Sequence, residues 1–280
     1  MTNYFVYDVF TEAAFGGNPL AVIPDATAVP EEQLQKIARE FNFSETTFVF
    51  PPVAPKHTAK VRIFTPTMEI PFAGHPVIGT ALALFDEGAG NALTFELGVG
   101  PISCKIDGRQ AEFVTTTALD LQAEPDPALV AAALGTRTDN IVFATHPPVM
   151  ASLGLPFTIT QVKSRDVLAK LSTDVAAFRK GHAKYPSGLD FAQFAYVRDG
   201  NQVDARMFAP LDNIPEDPAT GSACATLGAL LHRIENAPVT LTITQGEDMG
   251  RPSKIHVRAD ETGVTVAGSA VRVMSGQLTL

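Results

Sequence analysis

Glu45, His75, Asp217 and Ser222 are the side chains of this sequence best suited to moving a proton. Glu45 lies where an amphipathic helical segment gives way to a strand, in Phe41-Asn42-Phe43-Ser44-Glu45-Thr46-Thr47-Phe48, among unusually apolar neighbours for a carboxylate. If that junction faces a cleft, burial would lift the carboxyl toward neutrality, as a group that takes and returns a proton near pH 7 requires. The competing reading is a solvated glutamate at a strand start. His75 follows Gly74 and can bond a substrate, shuttle a proton or cap a helix. Asp217 and Ser222 flank Gly221, and with His75 they suggest a Ser-His-Asp hydrolase. However, Thr220-Gly221-Ser222-Ala223-Cys224 lacks the second glycine of a Gly-x-Ser-x-Gly elbow.

Three of these four residues fall in a motif that occurs twice. EIPFAGHPVIGTALALF starts at Glu69 and EDPATGSACATLGALL at Glu216, and both run Glu-x-Pro-x-x-Gly into a helix of small and aliphatic residues. The matched pairs Glu69/Glu216, Pro71/Pro218 and Gly74/Gly221 recur at one constant offset. Upstream, Arg62-Ile63-Phe64-Thr65-Pro66 matches Arg206-Met207-Phe208-Ala209-Pro210 at an offset three residues shorter. Such a chain most simply folds as two similar domains facing each other, with the motifs at the seam. Gly74 and Gly221 mark helix starts, where Pro76 and Ser222 suit the first turn and the N-cap. Exposed N–H groups there, with the positive end of the dipole, bind a carboxylate or a developing oxyanion. Both helices are apolar on nearly every side, so each is expected to be wrapped by its domain's sheet.

Composition limits the alternatives. The chain has 280 residues, 45% hydrophobic and 18% charged, with a net charge of −9. Its Lys and Arg residues are scattered singly, which disfavours nucleic acid or an anionic membrane and favours a small-molecule ligand. Cys104 and Cys224 form neither a close pair nor a metal-like spacing, and the six histidines include no i, i+4 pair, so no metal is expected. The start MTNYFVYDVF has no signal-peptide pattern, and no apolar run reaches membrane-spanning length. Cytoplasmic residence is the default expectation. Gly98-Val99-Gly100-Pro101 fails the dinucleotide fingerprint and no Walker-type loop occurs, so no nucleotide cofactor is indicated.

Strand-like segments outnumber helical ones, and their connections are short. Helices are expected over 31–41, 77–87, 127–133, 165–178 and 222–234, and strands over 140–144, 263–267 and 269–274, among others. Hairpin turns are expected at Asp107-Gly108 and Asp199-Gly200. The fold class is α+β, with two similar domains. The acidic, Pro-containing stretch 118–127 is the expected boundary between residues 1–117 and 118–267.

FGGNPLAVI from Phe15, FNFSETTFVF from Phe41, PFAGHPVIGTA from Pro71, EDPATGSA from Glu216 and QGEDMGRPSKI from Gln245 occur in order over most of the chain. Together they resemble the PhzF-like phenazine-biosynthesis family, related in fold to diaminopimelate epimerase and proline racemase. The resemblance implies two domains, each a mixed, mostly antiparallel sheet curled around a central helix, with residues 268–280 returning to the first domain. It implies a cofactor-independent isomerase with Glu45 as general acid/base and His75, Asp217 and Ser222 lining the site. Gly74 and Gly221 would give backbone donors to a substrate carboxylate, with Asn18 a weaker contact, and the protein would be a homodimer. The epimerase branch uses a cysteine on each motif; here Gly74 and Asp217 align with those positions, which disfavours a two-thiol mechanism. An epimerase or racemase acting on an amino or hydroxy acid, and a metabolite-binding protein without catalysis, are the rival readings.

Overall fold

The computed structural model describes residues 1–279 and divides the chain into two compact units. Unit 1 holds residues 1–115 and those from 265 on; unit 2 holds 116–264.

In unit 1, β1 (Thr2–Val9) pairs antiparallel with β2 (Asn18–Ile23). After α1 (Glu31–Phe41), β3 (Glu45–Phe50) runs parallel to β2 and antiparallel to β4 (Ala59–Phe64). The short β5 (Glu69–Ile70) folds back on β4 and leads into α2 (Gly74–Asp86). Next, β6 (Ala92–Leu97) lies parallel to β4, and β7 (Gly100–Asp107) and β8 (Gln110–Thr115) continue as hairpins. Alternation along the strands sorts the two faces. Ile23, Phe48 and Phe64 pack under α1, whereas Leu20 and Thr47 face α2. α2 is buried from Gly74 through Leu84, as an all-round apolar helix demands.

Unit 2 repeats this plan. After β9 (Asp120–Ala123) and α3 (Pro127–Ala133), β10 (Val149–Ser152) pairs with β9 and β11 (Pro156–Gln161). α4 (Arg165–Ala169) and α5 (Val175–Lys184) precede β12 (Gln193–Asp199), which is parallel to β11. β13 (Gln202–Ala209), β14 (Ile214–Asp217), α6 (Gly221–Glu235), β15 (Val239–Gln245) and β16 (Ser253–Asp260) then match β4, β5, α2, β6 and β7 in order and pairing sense. α3, α4 and α5 cover one face through Val130, Leu168 and Phe178, and α6 is buried against β10, β11, β15 and β16 on the other. β17 (Gly263–Leu278) carries the chain back and pairs with β1 and β8. Arg272 locks it there: the guanidinium stacks on Phe5, donates to the Tyr7 hydroxyl at 2.9 Å and pairs with Glu87 at 2.7 Å. Tyr7 in turn donates to Asp86, and Arg109 pairs with the same carboxylate, so two cations gather at the C-terminal end of α2.

Several elements differ from the sequence expectation. The helix expected over 165–178 is two, because the chain breaks after Ala169 and Asp174 caps a fresh start with bonds to Ala176 and Ala177. The strand expected over 140–144 is only an isolated bridge at Ile141, and β10 is the paired strand. β17 is continuous through Gly268, where a Cβ would strike the Phe10 ring, so the glycine serves close packing and does not interrupt the strand. α2 begins at Gly74, before the expected Val77, and the N-cap of α6 is Thr220, placing Ser222 within the first turn.

The duplicated motif has a structural job that is the same in both units. Arg62 forks onto Glu69 (2.8 and 2.6 Å) and stacks over Phe64; Arg206 forks onto Glu216 (2.8 and 2.7 Å) and stacks over Phe208. Each fork ties a long strand to the short strand before the central helix, in the bidentate geometry that fixes both partners. The copies differ in burial. Arg206 also donates to the Leu168, Ala169 and Leu171 carbonyls from a nearly enclosed position, while Arg62 pairs with the exposed Glu31. Arg206→Ala should therefore cost on the order of 3–5 kcal/mol in denaturant unfolding, as for a broken buried pair. Arg62→Ala should cost no more than about 1 kcal/mol.

Candidate functional site

In unit 1 the strand register brings Glu45, His75 and Asn18 together. Glu45 and Thr47 are two residues apart on β3 and share a face. Thr47 meets Thr80 of α2 hydroxyl to hydroxyl at 2.9 Å, which points Glu45 toward the start of that helix. There Glu45 Oε2 lies 3.2 Å from His75 Nδ1, with the two side chains 13% and 4% exposed. Asn18 is fully buried at the start of β2, and the carbonyl of the next residue, Pro19, is near the His75 ring. Gly17 makes this turn possible: its φ is +60°, and a Cβ would sit 2.3 Å from the Val9 carbonyl oxygen.

Burial drives the His75 imidazole well below its ordinary range, and the Pro19 carbonyl only partly opposes it. A neutral ring holds one proton. That proton is donated to the Pro19 carbonyl, and Glu45 Oε2 lies in close contact with the same ring without a hydrogen bond to it. The ring therefore stands beside the Glu45 carboxyl as a neutral group.

In unit 2 the loop before α6 is closed by hydrogen bonds that the sequence did not announce. The buried Asp217 carboxylate accepts from the Thr220 hydroxyl at 2.5 Å. Gln245, 1% exposed, donates through Nε2 to the Asp217 carbonyl (2.8 Å) and the Thr220 hydroxyl (3.0 Å), and its Oε1 accepts the Thr220 N–H (3.1 Å). Ser253 donates to the Pro218 carbonyl at 2.8 Å. Thr220 and Gln245 are common residue types; the only sequence signal for them was that each lies in one of the strings that carry the family resemblance.

Ser222 is half-buried in the first turn of α6, and its carbonyl accepts from Thr226. His75 lies against Glu45 in unit 1, and in unit 2 the Asp217 carboxylate is bonded by Thr220. No side chain caps α2 or α6, whose N-caps are Ala73 and Thr220. Their first-turn N–H groups, at Gly74 and Gly221, carry the positive dipole end. Burial pushes the Cys104 thiol up to about 12, and burial plus the charge of Asp217 hold the Cys224 thiol well above its usual range, so neither is a thiolate at neutral pH. Among the described residues no three His, Cys, Asp or Glu side chains gather to hold a metal ion, and no helix is long and apolar enough to cross a membrane.

The fold is shared with proline racemase-like proteins. A probable proline racemase from Agrobacterium radiobacter superposes with a TM-score of 0.65 at 11% identity, covering 100% of this chain and 93% of its own. A PhzF-family phenazine biosynthesis protein from Bacillus anthracis superposes with a TM-score of 0.86 at 24% identity, covering 100% and 99%. The family model for phenazine biosynthesis-like proteins matches residues 7–276, and the chain belongs to that family. It is 35% identical, over all of both chains, to the trans-2,3-dihydro-3-hydroxyanthranilate isomerase of Pseudomonas fluorescens. This protein is an isomerase of the PhzF-like group.

The state of His75 has a consequence for stability. The unfolded chain takes up a proton near pH 6.5 and the folded one does not, so this residue's contribution is complete above pH 6.5 and is lost as pH falls below it. His75→Gln should flatten the acid side of the stability curve by up to about 1.4 kcal/mol per pH unit, read from urea unfolding over a pH series.

Proposed function

We propose that the protein moves a proton between two carbons of a small carboxylate substrate, without a cofactor, through the single carboxyl group of Glu45. The observation that carries this reading is the contact of Glu45 with a buried, neutral imidazole, which suits a group that must take a proton and give it back. An uncapped helix start, such as that of α2 at Gly74 or that of α6 at Gly221, suits a substrate carboxylate or the charge that develops as the proton leaves. His75 keeps Glu45 oriented, Asp217 and Ser222 bond polar groups of the substrate, and Asn18 supplies a further contact. The protonated thiols speak against proton transfer by a cysteine pair. The relative from Pseudomonas fluorescens makes trans-2,3-dihydro-3-hydroxyanthranilate the first compound to test, and a homodimer is the proposed assembly.

Glu45→Gln should retain the fold and melting temperature while slowing turnover by at least about 10²-fold, the usual worth of a positioned acid/base group. The measurement is enzyme-dependent uptake of deuterium from heavy water into that compound and, in parallel, into the small carboxylates of a metabolite extract. Near-normal uptake by the variant would remove Glu45 from the mechanism.

A further inference from the structure

The internal repeat provides a control for what the loop before each central helix needs in order to fold. Three contacts align the copies. Ile63 of β4 faces Ile70 of β5, as Met207 of β13 faces Asp217 of β14. A Cβ on Gly98, just after β6, would lie 2.7 Å from Pro71 Cα; a Cβ on Gly246, just after β15, would lie 2.7 Å from the Pro218 carbonyl oxygen. Ala73 and Thr220 are the N-caps of the two helices. In this alignment Ile70 corresponds to Asp217, Ala73 to Thr220 and Leu97 to Gln245.

Unit 1 therefore builds the same strand, turn and helix start with three apolar residues. Unit 2 has three polar residues at these positions, joined in one chain of hydrogen bonds. Gln245 Nε2 donates to Thr220 Oγ1, which occupies the hydroxyl's acceptor side and leaves its proton to donate to Asp217 Oδ2. The direction of this chain is fixed, because an amide nitrogen can only donate. It ends on an acceptor, so it favours the charged carboxylate over the acid.

We propose that Thr220 and Gln245 are positioning residues of the reaction, which hold the Asp217 carboxylate ionised and fixed in one orientation at the start of α6. This rests on the reading of Asp217 as a substrate-binding group. Cys224 of α6 is a neutral thiol, β13 presents Met207 opposite, and the neighbouring Glu216 is neutralised by Arg206. The polar chain serves the site, since the copy in unit 1 folds without it.

The test follows the Asp217 carboxyl by carbon NMR across acid pH, in protein labelled at aspartate carboxyl carbons and assigned with Asp217→Asn. Thr220→Ala, which installs the residue unit 1 uses, should raise the midpoint of that titration by about 1–2 pH units, the worth of a hydrogen bond to a charged group. Thr220→Ser should restore it. Gln245→Leu, again the unit 1 residue, should raise it as well by freeing the hydroxyl to turn away, and both apolar variants should lower kcat more than they raise KM. An unmoved midpoint in a folded Thr220→Ala protein would overturn the proposal, and so would an unmoved midpoint in Gln245→Leu if the former fails to fold. The titration is read without substrate, so this proposal and the Glu45 assignment can fail independently.

Discussion

The arginine–glutamate fork is the geometric constraint that both units share, and in unit 2, where it is enclosed, the stability of the unit depends on it as well. In both copies an arginine on a long strand grips the glutamate of a short strand in two parallel hydrogen bonds and lies over the aromatic two residues on. The short strand has two residues in unit 1 and four in unit 2, too few to be held by ladder bonds alone. With the fork in place, the chain leaves the sheet at a fixed point, turns at the motif proline and enters the central helix at Gly74 or Gly221. The glutamates that first drew the eye in the repeat are therefore part of the frame, and the chemistry falls to their neighbours.

On that frame the two copies have diverged. Register through the Phe64 and Phe208 pairs sets Thr46 beside Phe64 and Gln193 beside Phe208, so Ala192 stands in unit 2 where Glu45 stands in unit 1. His75 corresponds to Ser222, and Ile70, Ala73 and Leu97 correspond to Asp217, Thr220 and Gln245. One copy sets a carboxyl against a neutral imidazole; the other carries a braced carboxylate. Such asymmetry suits a one-carboxyl proton transfer better than a symmetric pair of acids and bases.

Much of this was legible in the sequence, for physical reasons. A helix apolar on all sides must be buried, which identified α2 and α6, and the Asp-Gly turns at 107–108 and 199–200 do close hairpins. The constant offset of Glu, Pro and Gly revealed the duplication, and the resemblance named the family. What could not be read was short or long-range. β5, β14, β9 and β10 are too brief for a period-2 pattern, and the break between α4 and α5 depends on the capping of one aspartate. The Glu45–His75 pair joins residues on separate elements, and the grip of Gln245 on Thr220 spans 25 positions. No local pattern encodes either contact.

The central claim is that one carboxyl group both removes and returns the proton. The direct measurement is a single turnover in ordinary water with substrate carrying deuterium at the carbon that loses its proton. A single carboxyl, largely shielded from water beside a neutral imidazole, predicts that part of the deuterium appears at the new carbon. Complete loss of the label to water in the first turnover, with product formed at the normal rate, would contradict the account and require a second group to deliver the proton.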